Sequence, residues 1–308
     1  YYIKNGMAGV YIKLNRHDQA LNIYRELLAY YHNKNIMDKY CSILNNAGTV
    51  FNEKGDYDQA LENFLKALEI INEIKPADFG VKAIYYCNIG DAYFGKKDFA
   101  LSLKYRKMSL EIYKGMKDKD GIANLQMDIG ASLIKLKDYS EARKYLDSAL
   151  TNYSAINYPE GVRKTKKLFV QLNQEIKQFD VALTVCSQLE NLSVKYKDSI
   201  MISFCYKSYS DIYFALDNFK LSADYYKKYI ELKELLDAKE NRQLMTELQN
   251  AFETEQKDYE NKALRKENEL QREKINSRDN LLIAVTFGVL ITLTLLIVLF
   301  KKEKKIRL

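Results

Sequence analysis

Apolar residues recur at helical spacing along most of the chain, and one sequence segment with this spacing is repeated several times. The copies are "LNNAGTVFNEKGDYDQALENFLKAL" from Leu44, "YCNIGDAYFGKKDFALSLKYRKMSL" from Tyr86 and "QMDIGASLIKLKDYSEARKYLDSAL" from Gln126. One weaker copy precedes them and two follow. A small residue recurs inside each copy, with a period of 40 to 42 residues, at Ala20, Ala60, Ser102, Ala142, Ala182 and Ser222. The pattern therefore predicts about six repeats.

Each repeat is predicted to contain two helices. The first helix carries apolar residues such as Ile89 and Tyr93, together with a glycine where two helices must approach closely. The predicted close-contact glycines are Gly48, Gly90 and Gly130. The second helix follows a Lys/Gly/Asp turn and starts after a residue that can accept a backbone N–H. The predicted N-cap residues are Asp56, Asp98, Asp138 and Asn218.

These repeats resemble the tetratricopeptide repeat family, whose pattern has a small residue in the first helix, an aromatic residue three positions later, and Ala in the second helix. Gly48 with Phe51 and Gly90 with Tyr93 fall in this register, as does Ala60. The period exceeds the family's usual repeat of about 34 residues, and the chain has no Trp. These departures suggest helices lengthened by about a turn. The resemblance implies an all-α superhelical solenoid over residues 1–230.

A stack of such helix pairs has a concave groove, and the resemblance implies that the first helix of each pair faces it. In this family an Asn two residues before the glycine often bonds an extended peptide, and here Asn46 and Asn88 match that position. The candidate residues for binding a peptide or protein are Asn45, Asn46, Thr49, Asn88, Asp91, Asn124, Asp128, Lys164, Lys167 and Gln171. An amide donates and accepts at once, and a lysine receives a carboxylate. Alternatively, Asn46 and Asn88 bond neighbouring repeats and hold the stack together.

The C-terminal quarter of the chain has a different composition. Residues 231–280 contain 10 basic and 13 acidic residues, and the thin apolar stripe includes Leu264 and Ile275, which are eleven positions apart. This predicts a charged connector helix. It either pairs into a homodimeric coiled coil through residues 240–280 or stands alone, held by intrahelical ion pairs.

Residues 281–300, "LLIAVTFGVLITLTLLIVLF", contain no charge over the length that crosses a bilayer, and they predict a transmembrane helix. The tail at residues 301–308 has five basic residues and one acidic residue. This cluster favours a cytoplasmic C-terminus. The repeats are then extracytoplasmic, and periplasmic in a bacterium with two membranes.

No phosphate-binding loop, zinc-protease motif or nucleophile elbow is present in the sequence, which favours a protein without catalytic residues, metal or cofactor. The net charge of +7 comes from a spread excess of Lys, which does not favour nucleic acid binding. The four cysteines lack metal-ligand spacing and are expected to be buried thiols. The sequence alone does not decide whether a disulfide joins Cys186 and Cys205 on neighbouring helices.

The order of repeats, charged helix and single span resembles the input half of membrane sensors and regulators of the Bacteroidota. The resemblance implies a membrane-anchored protein that binds a peptide or protein partner in its groove and relays a signal across the membrane. One alternative is a static, membrane-tethered scaffold for protein interactions. Another is a sensor histidine kinase or transcriptional regulator whose output domain lies outside these residues.

Overall fold

The computed structural model describes residues 2–75 and 78–306. These residues form twelve helices and no strand, which confirms the predicted all-α class. The helices are α1 (Tyr2–Lys13), α2 (His17–Asn33), α3 (Met37–Glu53), α4 (Tyr57–Ile74), α5 (Phe79–Gly95), α6 (Phe99–Met116), α7 (Lys119–Lys135), α8 (Tyr139–Ala155), α9 (Pro159–Glu175), α10 (Phe179–Lys195), α11 (Ser199–Ala215) and α12 (Phe219–Ile306).

The 40-residue period arises from the length of the helices. Helices α2 to α11 contain 17 or 18 residues each. Most are joined by three-residue turns in which one residue takes the left-handed conformation, as Lys97 does with φ 64° and Lys137 with φ 62°. Gly55, with φ 78°, occupies the same place in the turn before α4. A helix and its turn thus take about 20 residues, and each repeat contains two of them.

All four predicted N-caps are confirmed, because each side chain accepts a hydrogen bond from the backbone N–H three residues later. Asp98 Oδ1 accepts from Leu101 N at 3.1 Å, and the same contact occurs at Asp56, Asp138 and Asn218. Asp78, Asp118 and Asp198 cap the first helices α5, α7 and α11 in the same way. Those three caps were not predicted from the sequence.

The close-contact glycines lie against the second helix of their own repeat. A Cβ atom at Gly48 would lie 2.6 Å from the Phe64 ring, and one at Gly130 would lie 2.6 Å from Leu146 Cδ2. At Gly90 a Cβ would lie 2.8 Å from Arg106 Cγ. These distances are shorter than van der Waals contact, so only glycine allows the two helices to approach this closely.

Successive helices pack against each other from α1 to α11, and the first helices of neighbouring repeats also touch. Helix α3 contacts α5, α7 contacts α9, and α9 contacts α11. The buried side chains between them are mostly apolar and include Phe64, Ile89, Leu125, Leu146 and Tyr153. The first helices of these pairs therefore lie side by side, and the surface of α7 and α9 carries the candidate site.

The chain divides into two compact units, Tyr1–Ala238 and Lys239–Leu308. The first contains the helix pairs. In the second, one helical stretch, Glu260–Thr294, is long and apolar enough to cross a membrane, with a mean hydropathy of 1.2. The boundaries at residues 230, 280 and 300 that the sequence suggests stay predictions, and residues 307 and 308 of the basic tail lie outside the described residues.

Candidate functional site

A cavity of about 730 Å³ opens on the surface formed by the first helices, between α7 and α9. We call it the groove pocket. Four of the ten predicted binding residues line it, namely Asp128, Lys164, Lys167 and Gln171. Its apolar lining consists of Phe94, Met127, Ala131, Ile134 and Leu168.

The sequence spacing explains why these residues share the pocket. On α7, Met127, Ala131 and Ile134 are separated by four and three residues, which places them on one helix face. On α9, Lys164, Leu168 and Gln171 have the same separations. Because α7 and α9 touch, the two faces meet and enclose the pocket.

Asp128 supplies a carboxyl group in unusual surroundings. Its side chain is half-buried, and burial raises its pKa from 3.8 to about 6. The Arg106 and Lys164 charges oppose this rise in pKa, whereas the neighbouring Asp91 carboxylate adds to it. The carboxyl group of Asp128 therefore changes its protonation state near pH 6.

Arg106 of α6 lies beneath the pocket and is 5% exposed. Its Nη2 donates to Asp91 Oδ1 of α5, and its Nη1 donates to the backbone O of Asp128 and to Ser132 Oγ of α7, all at 2.7 Å. The guanidinium also lies 4.8 Å from the ring centroid of Phe94. One side chain thus joins three helices and supports two pocket residues.

The sequence analysis did not predict Arg106 as a site residue, although the alignment of the repeats contains an indication of its role. When the repeats are aligned, Arg106 occupies the position of Phe64 and Leu146, which are buried apolar residues. A charged residue at a position that is otherwise apolar indicates a buried ionic contact, because an unpaired charge there would be strongly destabilising.

The pocket rim is rich in lysine. Lys164 Nζ lies 2.6 Å from Glu160 Oε1 one turn earlier on α9, and this hydrogen bond is the main cause that raises the pKa of Lys164. Lys167 Nζ lies 5.0 Å from the Phe204 ring centroid on α11. The two lysines and the neighbouring Gln171 amide thus place hydrogen-bonding groups around the apolar lining of the pocket. Such a site suits a segment with a polar main chain and an apolar side chain.

The predicted asparagines lie among the earlier repeats and contact one another. Asn88 Nδ2 of α5 donates to Asn45 Oδ1 of α3 at 2.7 Å, and Asn46 Nδ2 donates to Asn5 Oδ1 of α1 at 3.4 Å. Thr49 Oγ1 donates to the backbone O of Asn45 at 3.1 Å. The two contacts between asparagines are bonds between neighbouring repeats, as the stacking alternative predicts, whereas the Thr49 bond lies within α3. The binding role of these residues stays a prediction.

Asp91 and Asn124 are also tied to protein groups outside the pocket lining. Asp91 accepts from Arg106, and Asn124 Oδ1 accepts from the Tyr153 hydroxyl at 2.6 Å. The structure thus brings four of the predicted residues to one pocket and distributes the other six over α3, α5 and the start of α7.

Three ligand-type groups lie close together next to the pocket. Cys87 Sγ and carboxylate oxygens of Asp91 and Asp128 lie within 4.8 Å of one another. A thiolate and two carboxylates are suitable zinc ligands. However, the Arg106 guanidinium is bonded to Asp91, and its positive charge opposes a second cation. We propose no metal at this cluster.

The tetratricopeptide repeat family model matches residues 2–73, 39–115 and 81–155. Together these matches span residues 2–155, which is half of the chain. The chain belongs to the tetratricopeptide repeat family. No curated protein matches it significantly.

Solved structures with similar folds cover most of this tetratricopeptide repeat chain. The apo form of RapI is 16% identical with a TM-score of 0.61, over 77% of this chain and 99% of RapI. A Rap protein in complex with competence and sporulation factor is 14% identical with a TM-score of 0.58, over 77% of this chain and 76% of the Rap chain. A signal transduction ATPase with a tetratricopeptide repeat sensor, from Pyrococcus horikoshii, is 17% identical with a TM-score of 0.66, over 77% of this chain and 36% of the ATPase. At these identities the likeness concerns the fold.

Proposed function

We propose that this protein is anchored in a membrane by a single span and binds a peptide or protein partner in its groove pocket. One observation carries the proposal: residues predicted to bind a ligand line one cavity of about 730 Å³. That volume lies within the range of about 300 to 1,000 Å³ typical of ligand pockets.

The pocket chemistry supports a peptide as the partner. Met127, Ala131 and Leu168 provide an apolar floor, while Gln171 and Lys164 provide hydrogen-bonding groups at its edge. The backbone amides of an extended peptide can form hydrogen bonds with the edge of the pocket, and its apolar side chains can pack on the floor. The Rap protein resolved with competence and sporulation factor has a similar fold, which supports a ligand-binding role for such a solenoid.

The apolar stretch after the connector supports membrane anchoring. The described side chains of residues 281–297 are exposed, for example Leu281 at 66%, Phe287 at 64% and Ile291 at 57%. Exposed apolar surface is unfavourable in water by about 25 cal/mol per Å², and a bilayer removes this penalty. The basic tail at residues 301–308 would then lie in the cytoplasm and the repeats outside it.

Signal relay is the further part of the proposal. The charged helix of residues 231–280 would transmit a change in the geometry of the repeats, or of a dimer formed through residues 240–280. A ligand can drive such a change only if it binds one arrangement more tightly than the other. Without that difference in affinity, the same protein is a static scaffold.

Peptide binding is tested with the full chain in detergent micelles and a displayed library of random peptides. Enriched peptides are then measured by fluorescence anisotropy against Lys164→Ala/Gln171→Ala and against Lys144→Ala. Lys144 is a matched control because it also pairs with a glutamate on its own helix, at 2.9 Å from Glu141, but lies on the second helix α8. We expect the pocket variant to bind about tenfold or more weakly, as loss of central contacts does.

Two results would contradict the pocket proposal. One is that no peptide is enriched by the full chain. The other is that enriched peptides bind both variants equally. Circular dichroism establishes that the pocket variant keeps its helical content, so that a loss of binding reports the pocket and not unfolding.

Anchoring and orientation are tested separately. The protein should stay with membranes after alkaline carbonate extraction, whereas Leu290→Arg/Leu293→Arg should be extracted because charged groups are strongly unfavourable in the bilayer core. In intact spheroplasts, added protease should cleave the repeats. Full protection of the repeats would contradict the proposed orientation, and extraction of the unaltered chain would contradict the anchor.

A further inference from the structure

Cys186 and Cys205 meet at the junction between the last two repeats. Cys186 belongs to α10, the second helix of the fifth repeat, and Cys205 belongs to α11, the first helix of the sixth. Both side chains are fully buried, and the two helices pack against each other. Both thiols are free in the structure.

The two thiols make reciprocal contacts. Cys186 Sγ donates to the backbone O of Cys205 at 3.6 Å, and Cys205 Sγ donates to the backbone O of Cys186 at 3.8 Å. Each side chain therefore points at the other residue, as the two side chains of a disulfide must. The neighbouring Cys186 thiol, followed by burial, holds the pKa of Cys205 far above its usual range. The two cysteines thus face each other across the junction of α10 and α11.

We propose that Cys186 and Cys205 are a disulfide-forming pair that crosslinks the fifth and sixth repeats. The inference rests on the contacts across α10 and α11 and not on the groove pocket. It holds whether or not the pocket binds a peptide.

The reaction is thiol–disulfide exchange with a disulfide oxidant, such as oxidised glutathione or a thiol–disulfide oxidoreductase. One protein thiolate attacks the oxidant and forms a mixed disulfide, which releases one thiol. The second protein thiolate then displaces the other half of the oxidant. Two S–H bonds of the protein and one S–S bond of the oxidant are lost, and one protein S–S bond and two oxidant thiols are formed. Two electrons pass to the oxidant.

Burial determines when this exchange occurs. The attacking species is the thiolate, and neither sulfur is accessible to an oxidant in the closed structure. Oxidation therefore takes place when α10 and α11 are separated, either during folding or after local opening of these repeats. Once the helices pack, the two sulfurs are held side by side and the bond is shielded from reductants.

The crosslink would stabilise the last two repeats, which precede the charged helix of residues 231–280. It closes a short loop between residues 186 and 205, and a loop of about this length typically gives a measurable gain in stability. We expect the melting midpoint of the oxidised chain to exceed that of the reduced chain by roughly 5 to 10 °C.

The experiment uses the purified full chain in detergent micelles. The repeats are opened in urea, the urea is removed in the presence of oxidised and reduced glutathione or of dithiothreitol, and the products are digested with trypsin and analysed by mass spectrometry. Trypsin releases residues 178–195 and 198–207, which carry Cys186 and Cys205. We expect these two peptides to be joined in the oxidised sample and separate in the reduced sample.

Five variants provide the controls. Cys186→Ser and Cys205→Ser should lose both the joined peptide and the rise in melting midpoint. Cys41→Ser and Cys87→Ser should keep both, because those cysteines lie on α3 and α5. The double variant Cys186→Ala/Cys205→Ala should have the same melting midpoint under oxidising and reducing conditions, which separates the crosslink from any effect of repacking.

The proposal is overturned if the oxidised sample keeps four free thiols or if Cys186 and Cys205 pair with other cysteines. It is also overturned if the joined peptide forms without a change in melting midpoint, because a bond that fits the folded structure stabilises it. Failure of the peptide-library experiment alone leaves this inference unaffected, and failure here leaves the groove pocket unaffected.

Discussion

Arg106 Nη2 lies 2.7 Å from Asp91 Oδ1, and this ion pair stands beneath the groove pocket with the arginine almost fully buried. Because Arg106 also bonds Asp128 and Ser132 on α7, the pair connects two repeats. A buried arginine of this kind fixes the relative position of three helices. It takes the place that Phe64 and Leu146 fill with apolar contacts in the flanking repeats.

The first prediction concerns the loss of this arginine. Arg106→Ala leaves Asp91 without its charge partner, removes one donor from each of two acceptors on α7, and opens a cavity. We expect the free energy of unfolding to fall by about 2 to 4 kcal/mol. Lys104→Ala, an exposed position on the same helix, should change it by less than about 0.5 kcal/mol. Urea unfolding followed by circular dichroism at 222 nm measures both, and equal stability of the two variants would refute the connecting role of Arg106.

The second prediction concerns the space at Gly90. A methyl group there would meet Arg106 Cγ at 2.8 Å and the backbone O of Ser102 at 3.4 Å, so Gly90→Ala should push α5 and α6 apart. We expect the free energy of unfolding of Gly90→Ala to fall by about 1 to 3 kcal/mol.

Gly115, near the end of α6, is the matched control because a Cβ there meets no atom within 4 Å. Alanine in a helix is favoured over glycine, so Gly115→Ala should be neutral or stabilising by up to about 1 kcal/mol. The same urea titration compares the two variants. A stabilising effect at both positions would show that the close approach at Gly90 is not required.

The periodic part of the fold was predictable from the sequence because every repeat encodes it independently. The small residues in the first turn of each second helix, the glycines at 48, 90 and 130, and the aspartates before α4, α6 and α8 recur at fixed positions, and their physical roles are local. The structure confirms the caps and the close contacts at those positions.

The site was predictable only in part, because its contacts join repeats and depend on residues that break the pattern. Periodicity places Asp128, Lys164 and Gln171 on the exposed faces of first helices, and all three line the pocket. It does not give the partner of Asp91, since Arg106 departs from the repeat consensus and its bonds extend to α7. The pairing of Asn88 with Asn45 likewise depends on the distance between two repeats.

The third prediction concerns Asp128 and pH. Its pKa is about 6 in the folded protein and 3.8 for the unperturbed group, so folding favours the protonated form between these values. The stability contributed by this group is therefore present at about pH 4, is lost as the pH rises to 6, and is constant above pH 7. A pKa shift of this size changes the free energy of unfolding by at most about 3 kcal/mol.

Asp128→Asn isolates this effect because the amide is neutral at every pH. Arg106, Asp91, Lys164 and Cys87 surround the side chain of residue 128 in both proteins. The stability of the variant relative to the unaltered chain should rise between pH 4 and pH 6.5 by roughly 1 to 3 kcal/mol. Urea titrations at half-unit steps of pH give this difference, and a difference that is independent of pH would show that Asp128 titrates normally.

The last prediction separates the two roles open to the asparagines. A hydrogen bond between partly exposed side chains adds only about 0.5 to 1.5 kcal/mol to stability. If the amides bind the partner, Asn46→Ala/Asn88→Ala should weaken peptide binding about tenfold while the melting midpoint changes by no more than that of Asn22→Ala, an exposed amide on α2. If the Asn88 to Asn45 contact of 2.7 Å mainly holds the stack, the melting midpoint falls together with the binding. Anisotropy with an enriched peptide and thermal circular dichroism on the same samples distinguish these outcomes, because only a ligand contact reduces affinity in a chain whose helices melt normally.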